Sequence, residues 1–428
     1  MSTNVLLLGN GGREHAMAWS ISQSEKLGTL YIAPGNPGTA QCGENVALSL
    51  SDFNAIAAFI EDKGIDLTVV GPEQPLVDGL TDFLEAKGHR VFGPSKYAAQ
   101  LEGSKKFANE FMRDNHIPTA HFETYRRGEF DKALSVIKKR GDYPVVLKAD
   151  GLAGGKGVFV CETQGEVEKR LKELKESSRF GDAAQTLVVE EFMKGNEASV
   201  FAISDGQTAK IIHYAQDHKR IGEGDTGLNT GGMGAYAPTP VIGRKMLQRI
   251  EKEIILPTIS AMLLDEQPYK GILYCGLMMT QEGPKVVEFN CRFGDPECQV
   301  MLPSLKSDLL ELMVAAADGQ LHGKELVTDQ KHRCCVVLAS EGYPGEYEKG
   351  KKIVGLDEVS DQALVFHAGT KAVDGDILTD GGRVLSVVGA GDTLSEAIQN
   401  TYKEANKIDF ENKYARSDIG TKGLAYYN

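Results

Sequence analysis

The first hundred residues alternate short apolar runs with helical segments, and this alternation constrains the fold more than any other feature. The apolar runs cover residues 5–8, 29–32, 67–70 and 91–92. Helical segments start near Arg13, Asn54 and Leu76. Parallel strands need a long crossover, which a helix usually supplies, so the pattern predicts an N-terminal Rossmann-like parallel α/β domain. We place this domain at residues 1–103, because a new helical segment begins after Ser104.

The rest of the chain divides by pattern into two further domains. Strand-like runs and a charged helical segment predict a small α+β lobe over about residues 120–190. We expect this lobe to be inserted into a central domain of residues 104–325. Residues 326–428 combine short apolar strands with Gly/Pro turns, which predicts a C-terminal β-rich domain. The predicted fold class is therefore a multidomain α/β and α+β protein.

Composition excludes several classes of function. The 428 residues include 47 Lys and Arg against 60 Asp and Glu, a net charge of −13, without a continuous basic block. Nucleic-acid binding usually needs a basic face, so no nucleic-acid partner is expected. The seven cysteines form no C-x-x-C pair, and no apolar stretch approaches the ~20 residues of a membrane span. We expect a cytoplasmic protein with reduced thiols and no membrane partner.

A glycine-rich turn follows the first predicted strand, at residues 9–14. Gly11, Gly12, Arg13 and Glu14 could bind an anion where the next helix begins, because free N–H groups and the helix dipole converge there. Glu14 replaces the third glycine of a dinucleotide-binding fingerprint, and no acidic residue follows the second strand to hold a ribose. A substrate site, a plain tight turn and a nicotinamide site all remain open.

Three further polar segments are candidates for substrate binding. Glu73 follows the third predicted strand, at the edge where open α/β sheets bind ligands, and could hold a hydroxyl or an ammonium group. A solvated Pro-rich turn is the alternative interpretation. Asp217, Lys219 and Arg220, together with the glycine-rich residues 225–236, could form a loop that closes over a substrate.

Residues 145–158 form the most specific motif. Its glycines are Gly151, Gly154, Gly155 and Gly157. A hairpin of this kind can fold its N–H groups over a polyphosphate, whose oxygens Lys148 and Lys156 would neutralise. It is not a Walker A loop, because it lacks G-x-x-x-x-G-K-[ST] and no helix follows directly. A merely flexible hairpin is the alternative.

A strand, a short connector and a second strand follow at residues 188–199. The connector's backbone could pair with an adenine edge, Phe192 and Met193 could flank the ring, and Glu197 could accept hydrogen bonds from ribose hydroxyls. A solvated acidic linker is the alternative.

Glu288 and Asn290 lie two residues apart on a predicted strand, so their side chains share one face. Carboxylate and amide oxygens suit Mg²⁺ that is shared with substrate phosphates. Arg292 continues this face and could bind a phosphate oxygen, or it could form a structural salt bridge.

In this order the motifs resemble those of the ATP-grasp ligases, over about residues 4–425. The runs at 9–15, 230–236 and 292–299 more narrowly resemble the phosphoribosylamine–glycine ligase family. The resemblance implies that ATP phosphorylates the carboxylate of glycine and that the amine of 5-phosphoribosylamine displaces the phosphate. The products would be glycinamide ribonucleotide, ADP and phosphate, in purine biosynthesis.

The resemblance also implies roles for individual residues. Lys105 and Lys148 would contact ATP phosphates; Glu190, Met193 and Glu197 would contact the nucleoside; Glu288 and Asn290 would bind Mg²⁺ or Mn²⁺. Arg292 and Lys148 would act in catalysis. The candidates for the other two substrates are Gly11, Gly12, Arg13, Glu14, Glu73, Asp217, Lys219, Arg220, Arg292 and Asp295.

The sequence departs from the wider superfamily in one respect. Many ATP-grasp enzymes have a second acidic metal ligand on the strand before the Glu-x-Asn pair, and residues 272–279 contain no acid. Rival interpretations are another ATP-grasp ligase or carboxylase, a nicotinamide-dependent dehydrogenase and a non-catalytic nucleotide-binding module. We expect a monomer or a weak homodimer.

Overall fold

A computed structural model gives the structure of the protein and describes residues 2–152, 157–176 and 185–427. Gly154, Gly155 and Lys156, predicted above to bind polyphosphate, lie outside these described residues.

The N-terminal unit is a parallel sheet with helices packed against it. Its strands are β1 (Thr3–Gly9), β2 (Leu27–Pro34), β3 (Glu44–Asn45), β4 (Leu67–Val70) and β5 (Val91–Phe92). Its helices are α1 (Gly12–Ser22), α2 (Phe53–Lys63), α3 (Glu73–Asp78) and α4 (Leu80–Glu85). The strand order β3-β2-β1-β4-β5 changes direction between β1 and β4, so the carboxyl ends of these two strands border a crevice.

Two helices lead from this unit into a small lobe. These helices are α5 (Gln100–Gly103) and α6 (Lys105–Asp114). The lobe consists of β6 (Phe122–Arg126), α7 (Phe130–Arg140), β7 (Val145–Ala149), β8 (Val158–Cys161), α8 (Gln164–Glu176) and β9 (Thr186–Glu191). Its antiparallel sheet has the order β6-β9-β7-β8 and its own apolar core, which includes Phe130, Leu147 and Leu171.

The central unit carries the long strands of the protein. Its elements are β10 (Asn196–Asp205), β11 (Ala209–Asp217), β12 (Arg220–Gly222), β13 (Thr226–Asn229), β14 (Gly234–Ala237), α9 (Arg244–Ile250), α10 (Leu256–Leu264), β15 (Lys270–Met279), β16 (Pro284–Asn290), α11 (Glu297–Met301) and α12 (Leu309–Ala317). A π-helical turn, Glu251–Ile255, joins α9 to α10. β10, β15 and β16 pair antiparallel, and β16 faces the lobe, where its backbone accepts a hydrogen bond from a lobe side chain.

The C-terminal strands continue the central sheet. The elements are β17 (His332–Ser340), β18 (Ala363–His367), β19 (Thr370–Val373), β20 (Asp376–Thr379), β21 (Arg383–Gly391), α13 (Leu394–Ala405), β22 (Lys413–Tyr414) and α14 (Thr421–Leu424). β14 pairs with β11 on one side and with β17 on the other, so one sheet runs in the order β16-β15-β10-β11-β14-β17-β21-β18. Within the described residues, no helix is long and apolar enough to cross a membrane.

Candidate functional site

The glycine turn after β1 is shaped around the side chain of Glu14. Glu14 Oε2 accepts a hydrogen bond from the N–H of Gly11 at 2.7 Å, and Glu14 Oε1 pairs with Arg13 Nε at 2.7 Å. A Cβ at Gly9, whose φ is +128°, would lie 2.3 Å from Glu14 Cγ, and a Cβ at Gly71 would lie 2.4 Å from Glu14 Oε1. Glycine is therefore required at both strand ends, because the carboxylate fills the space between them. The third-glycine position of a dinucleotide fingerprint is thus filled by this carboxylate.

Arg292 connects β16 to the N-terminal unit through two carboxylates. Its Nη2 lies 2.7 Å from Glu102 Oε1, and its Nε lies 3.2 Å from Glu73 Oε2. Burial raises the pKa of Glu73, but the charges of Arg292 and Arg13 outweigh it, so the pKa lies below the ordinary value. Glu73 is therefore an ionised partner of Arg292 rather than part of a solvated turn.

Asp295 joins the glycine turn to the C-terminal strands. Its Oδ2 accepts a hydrogen bond from the N–H of Arg13 at 3.2 Å, and its Oδ1 accepts one from Gln299 Nε2 at 2.8 Å. Arg383 on β21 reaches the same Oδ1 at 3.2 Å. Burial raises the pKa of Asp295, and the charges of Arg383 and Arg13 lower it further than burial raises it, so the carboxylate is ionised.

Lys148 on β7 is a buried cation that faces β16. Its Nζ lies 2.7 Å from Glu190 Oε2 and donates to the backbone oxygen of Val287 at 3.0 Å. The other oxygen of Glu190 accepts a hydrogen bond from Asn109 Nδ2 on α6 at 2.8 Å. The side chains of Lys148 and Glu190 are only 5% and 4% exposed, so each charge depends on the other.

Lys105 lies at the start of α6, close to the lobe hairpin. Its Nζ donates to the backbone oxygen of Gly151 at 2.8 Å. Burial lowers the pKa of Lys105, Glu288 opposes this shift, and the nearby charge of Lys148 adds to it. Two lysines are therefore held close together in a site that favours an anion between them.

Glu288 is surrounded by positive charge. Burial raises its pKa, but the charges of Lys219, Lys148 and Lys105 lower it by more, so the carboxyl is ionised at neutral pH. Asn290 follows on the same face of β16; its Oδ1 accepts from Arg292 at 3.2 Å, and its buried Nδ2 has no hydrogen-bond partner among the described residues.

A recess between β10, β11, β15 and β16 adjoins these groups. Glu197, Ser199, Asp217, Lys219, Gly276 and Val287 are among the residues that line it. Lys219 Nζ lies 3.2 Å from Glu197 Oε2. Burial raises the pKa of Asp217 above its ordinary value; Lys219 lowers it, and Glu297 raises it further. The recess thus brings together the paired side chains of Lys219 and Glu197 and, on Asp217, a carboxyl group that resists ionisation.

Not every predicted residue reaches this region with a free side chain. Arg220 lies in the β12–β13 hairpin, where its Nη1 donates to the backbone oxygen of Gly227 at 2.7 Å. The Phe192 side chain is exposed, and Met193 beside it is half-buried. Gly157 is buried in the turn just before β8, and Gly151, whose φ is +138°, follows β7.

The structure adds four residues that the sequence reasoning missed. Glu102 and Asn109 hold Arg292 and Glu190, Arg383 holds Asp295, and Glu297 accepts a hydrogen bond from Tyr274 Oη at 2.8 Å. Only Glu297 lies within a motif that the sequence reasoning quoted. The other three act through contacts that join distant parts of the chain, so local pattern gave no signal for them.

Comparisons with known proteins define the class. Sequence models of phosphoribosylglycinamide synthetase match as an N domain over residues 3–102, an ATP-grasp domain over 103–298 and a C domain over 333–422. The fold is that of an ATP-grasp enzyme, which confirms the predicted fold class. The chain belongs to the phosphoribosylglycinamide synthetase family.

Individual relatives match over nearly the whole length. The phosphoribosylamine–glycine ligase of Rhodopirellula baltica is 47% identical over 98% of each chain, and that of Agrobacterium fabrum is 48% identical over 98% of this chain and 99% of its own. The crystal structure of phosphoribosylamine–glycine ligase from Thermotoga maritima superimposes with a TM-score of 0.83 at 34% identity, covering 97% of this chain and 100% of that one. A biotin carboxylase from Campylobacter jejuni shares the fold at 16% identity, with a TM-score of 0.75, covering 100% of this chain and 96% of its own.

Proposed function

We propose that this protein ligates glycine to 5-phosphoribosylamine with ATP, through glycyl phosphate, to give glycinamide ribonucleotide, ADP and phosphate in purine biosynthesis. Full-length similarity to relatives named phosphoribosylamine–glycine ligase supports the choice of substrates. The observation that carries the chemistry is the ionised Glu288 set among Lys105, Lys148 and Lys219. Such a site stabilises a polyphosphate next to a divalent cation.

The reaction proceeds in two steps. A carboxylate oxygen of glycine attacks the γ-phosphorus of ATP, and the bond to the β-phosphate oxygen breaks to release ADP. The amine nitrogen of phosphoribosylamine then attacks the acyl carbon, inorganic phosphate leaves with its bonding electrons, and the nitrogen loses a proton. Two anions must meet in the first step, so catalysis depends on positioning and on neutralising charge.

The lysines of the site are suited to this work. Lys148 pairs with Glu190 on the neighbouring strand of the lobe sheet, and it reaches across the cleft to donate to the backbone oxygen of Val287 on β16. We infer that Lys148 and Lys105 bind phosphate oxygens, and that the lobe hairpin with Gly151, Lys156 and Gly157 covers them. Water is then kept away from the acyl phosphate.

A divalent cation, Mg²⁺ or Mn²⁺, fits Glu288 and Asn290. The Glu288 carboxylate is ionised, and no hydrogen bond to it is found among residues 2–152, 157–176 and 185–427. No cluster of three or more His, Cys, Asp or Glu side chains is found there that could hold a metal alone. Mg²⁺ commonly binds one or two protein carboxylates and completes its coordination with phosphate and water. The ion would neutralise phosphate charge, and Glu288 and Asn290 would hold it.

The remaining predicted residues divide between nucleoside and substrates. We propose that Glu190, Phe192, Met193 and Glu197 line the nucleoside site. The other two substrates would lie towards the switch point of the parallel sheet. The residues proposed there are Gly11, Gly12, Arg13, Glu14, Glu73, Asp217, Lys219, Arg220, Arg292 and Asp295.

We also propose a cytoplasmic protein that is a monomer or a weak homodimer. The acidic net charge of −13 supports solubility without nucleic-acid binding. Light scattering across a concentration series tests the oligomeric state, and a stable tetramer would contradict it.

A paired-substrate assay tests the function. ADP release is expected when glycine and freshly prepared phosphoribosylamine are both present, and neither alone should support full turnover. ADP release that depends on bicarbonate, or on another acid–amine pair, would instead indicate a different ATP-grasp reaction. Quenching of the protein fluorescence on titration with NADH would favour a dehydrogenase.

A further inference from the structure

The C-terminal strands pack directly against the glycine turn after β1, which was proposed above as part of the site for the other two substrates. A Cβ on Gly12 would lie 3.6 Å from Ser386 Oγ on β21 and 3.7 Å from Ala368 Cβ after β18. The glycine turn of the N-terminal unit is therefore in close contact with the C-terminal strands. These strands carry none of the residues assigned above to nucleotide, metal or substrate.

Arg383, the first residue of β21, is the strongest link between these strands and the site. Its Nη1 donates to the backbone oxygens of Asp295 at 2.6 Å and Gly231 at 2.9 Å, and it lies 3.2 Å from Asp295 Oδ1. One nitrogen thus ties two separate loops together. The loop of residues 230–233 and the Asp295 loop lie far apart in the sequence, and Arg383 hydrogen-bonds to both, so it helps to fix their spacing.

Neighbouring groups show how closely Arg383 and the two loops are packed. A Cβ on Gly231 would lie 3.0 Å from Arg383 Cζ, so the guanidinium lies flat against this glycine. The N–H of Gly231 donates to Tyr343 Oη, another C-terminal group, at 2.9 Å. A Cβ on Gly232, whose φ is +116°, would lie 2.5 Å from Pro296 Cδ. The two loops therefore fit each other only in this arrangement.

The contacts of Arg383 lie near the proposed substrate site and away from the proposed nucleotide site. Asp295 accepts the N–H of Arg13 at the start of α1, next to Gly11 and Gly12, whereas Lys148 and Glu288 face each other between the lobe and β16. We propose that Arg383 is a positioning residue that fixes the loop of residues 230–233, which leads into β14, and Asp295 for binding of the amine substrate. This inference rests on the proposed function, because it assumes that phosphoribosylamine is that substrate.

The test compares Arg383→Met and Arg383→Lys with the wild type at saturating glycine. We expect Arg383→Met to raise the KM for phosphoribosylamine by about tenfold to a hundredfold, the effect of losing a charged hydrogen bond, while the KM for ATP changes by less than about twofold. Arg383→Lys keeps the charge, but the lysine side chain is too short to reach both loops. Its KM for phosphoribosylamine should therefore lie between those of the wild type and Arg383→Met. Equal changes in both KM values, or none, would overturn the proposal.

A matched control separates this effect from general loss of stability. Arg333 on β17 forms a bidentate ion pair with Asp329, in which Nη1 and Nη2 each lie 2.7 Å from a carboxylate oxygen. The Arg333 side chain contacts neither of the two loops that Arg383 binds. Arg333→Lys should lower the melting temperature without changing either KM. A rise in the phosphoribosylamine KM in this variant would count against a specific role for Arg383.

Gly231→Ala gives a second route that needs no change at Arg383. The new methyl group would displace the guanidinium, so the variant should raise the phosphoribosylamine KM by itself and add little in an Arg383→Met background. Additive effects of the two changes would overturn the proposal. If Arg383→Met does not fold, the single variant Gly231→Ala still tests the proposal, because an unchanged KM for phosphoribosylamine in that variant would overturn it. A wild-type protein that releases no ADP with both substrates would refute the proposed function instead.

Discussion

At the scale of single residues, the site is organised by buried charges that depend on one another. Lys148 and Glu190 are each almost fully buried and lie 2.7 Å apart. Arg292 is held in the same way by Glu73 and Glu102. Removing one member of such a pair leaves an uncompensated charge, so stability and activity must be measured separately.

Lys148→Ala should abolish turnover, because it removes the buried ammonium group that donates to the backbone of β16 beside Glu288. The change also leaves Glu190 unpaired, which costs about 3–5 kcal/mol. The double variant Lys148→Ala/Glu190→Gln should regain much of this stability but none of the turnover. ADP release and thermal unfolding distinguish the two effects, with Lys139→Ala on the exposed face of α7 as control. Near-normal turnover in Lys148→Ala would refute the proposed role of this lysine.

Asp217 should make stability depend on pH. Burial, reinforced by Glu297, holds the pKa of Asp217 above the ~3.9 of an unfolded chain, although Lys219 opposes the shift. The folded protein then keeps a proton that the unfolded chain releases, so the contribution of Asp217 to stability falls as pH rises from ~3.9 towards the folded pKa.

Asp217→Asn removes this titration. Its melting temperature relative to the wild type should increase by about 1 °C or more between about pH 5 and about pH 8. The exposed Asp361→Asn should show no such trend. A difference that is constant with pH would mean that Asp217 ionises in the folded state as easily as in the unfolded one.

At the scale of elements, the short strand β14 has an unusual place. It has only four residues, Gly234–Ala237, and it joins β11 of the central unit to β17 of the C-terminal unit. All four are buried. The continuity of the long sheet depends on this strand.

Gly234→Ala should weaken the junction. The added Cβ would lie 2.5 Å from the backbone oxygen of Cys335 and 2.7 Å from Ile419 Cγ2, so strands must separate to admit it. Overpacking of this kind costs about 1–3 kcal/mol. Thermal unfolding measures the loss, and Gly165→Ala, where the new methyl group meets nothing within 4 Å, is the control. A Gly234→Ala protein as stable as the wild type would show that the strands adjust freely.

At the scale of the whole molecule, the site is made where separate units meet. The lobe supplies Lys148, the central sheet supplies Glu288, and the N-terminal unit supplies Glu73 and Arg13. Nucleotide bound between the lobe and the central sheet should therefore stabilise the assembly and not one unit alone.

ATP with Mg²⁺ should raise the melting temperature. A ligand at a hundred times its Kd stabilises the folded state by about 2.7 kcal/mol. Removing the metal with a chelator should lower the shift, and Glu288→Gln should lose most of the metal-dependent part. A shift in Glu288→Gln that responds to Mg²⁺ as in the wild type would contradict the proposed metal site.

The sequence by itself determined the local elements and the fold class. The alternation in the first hundred residues predicts the parallel sheet, and the predicted runs 67–70 and 91–92 are the strands β4 and β5. The parallel α/β unit and the ATP-grasp fold are confirmed. The roles given to individual site residues stay predictions. Local propensity and motif spacing carry this information because they involve residues near each other in the chain.

Only the tertiary structure decided which charged and polar side chains meet. Glu102 with Arg292, Asn109 with Glu190 and Arg383 with Asp295 are pairs that lie far apart in the sequence. The continuation of the central sheet into the C-terminal strands through β14 was equally hidden. The physical reason is that a buried charge selects its partner by the three-dimensional position of an oppositely charged group, and no local periodicity records that position.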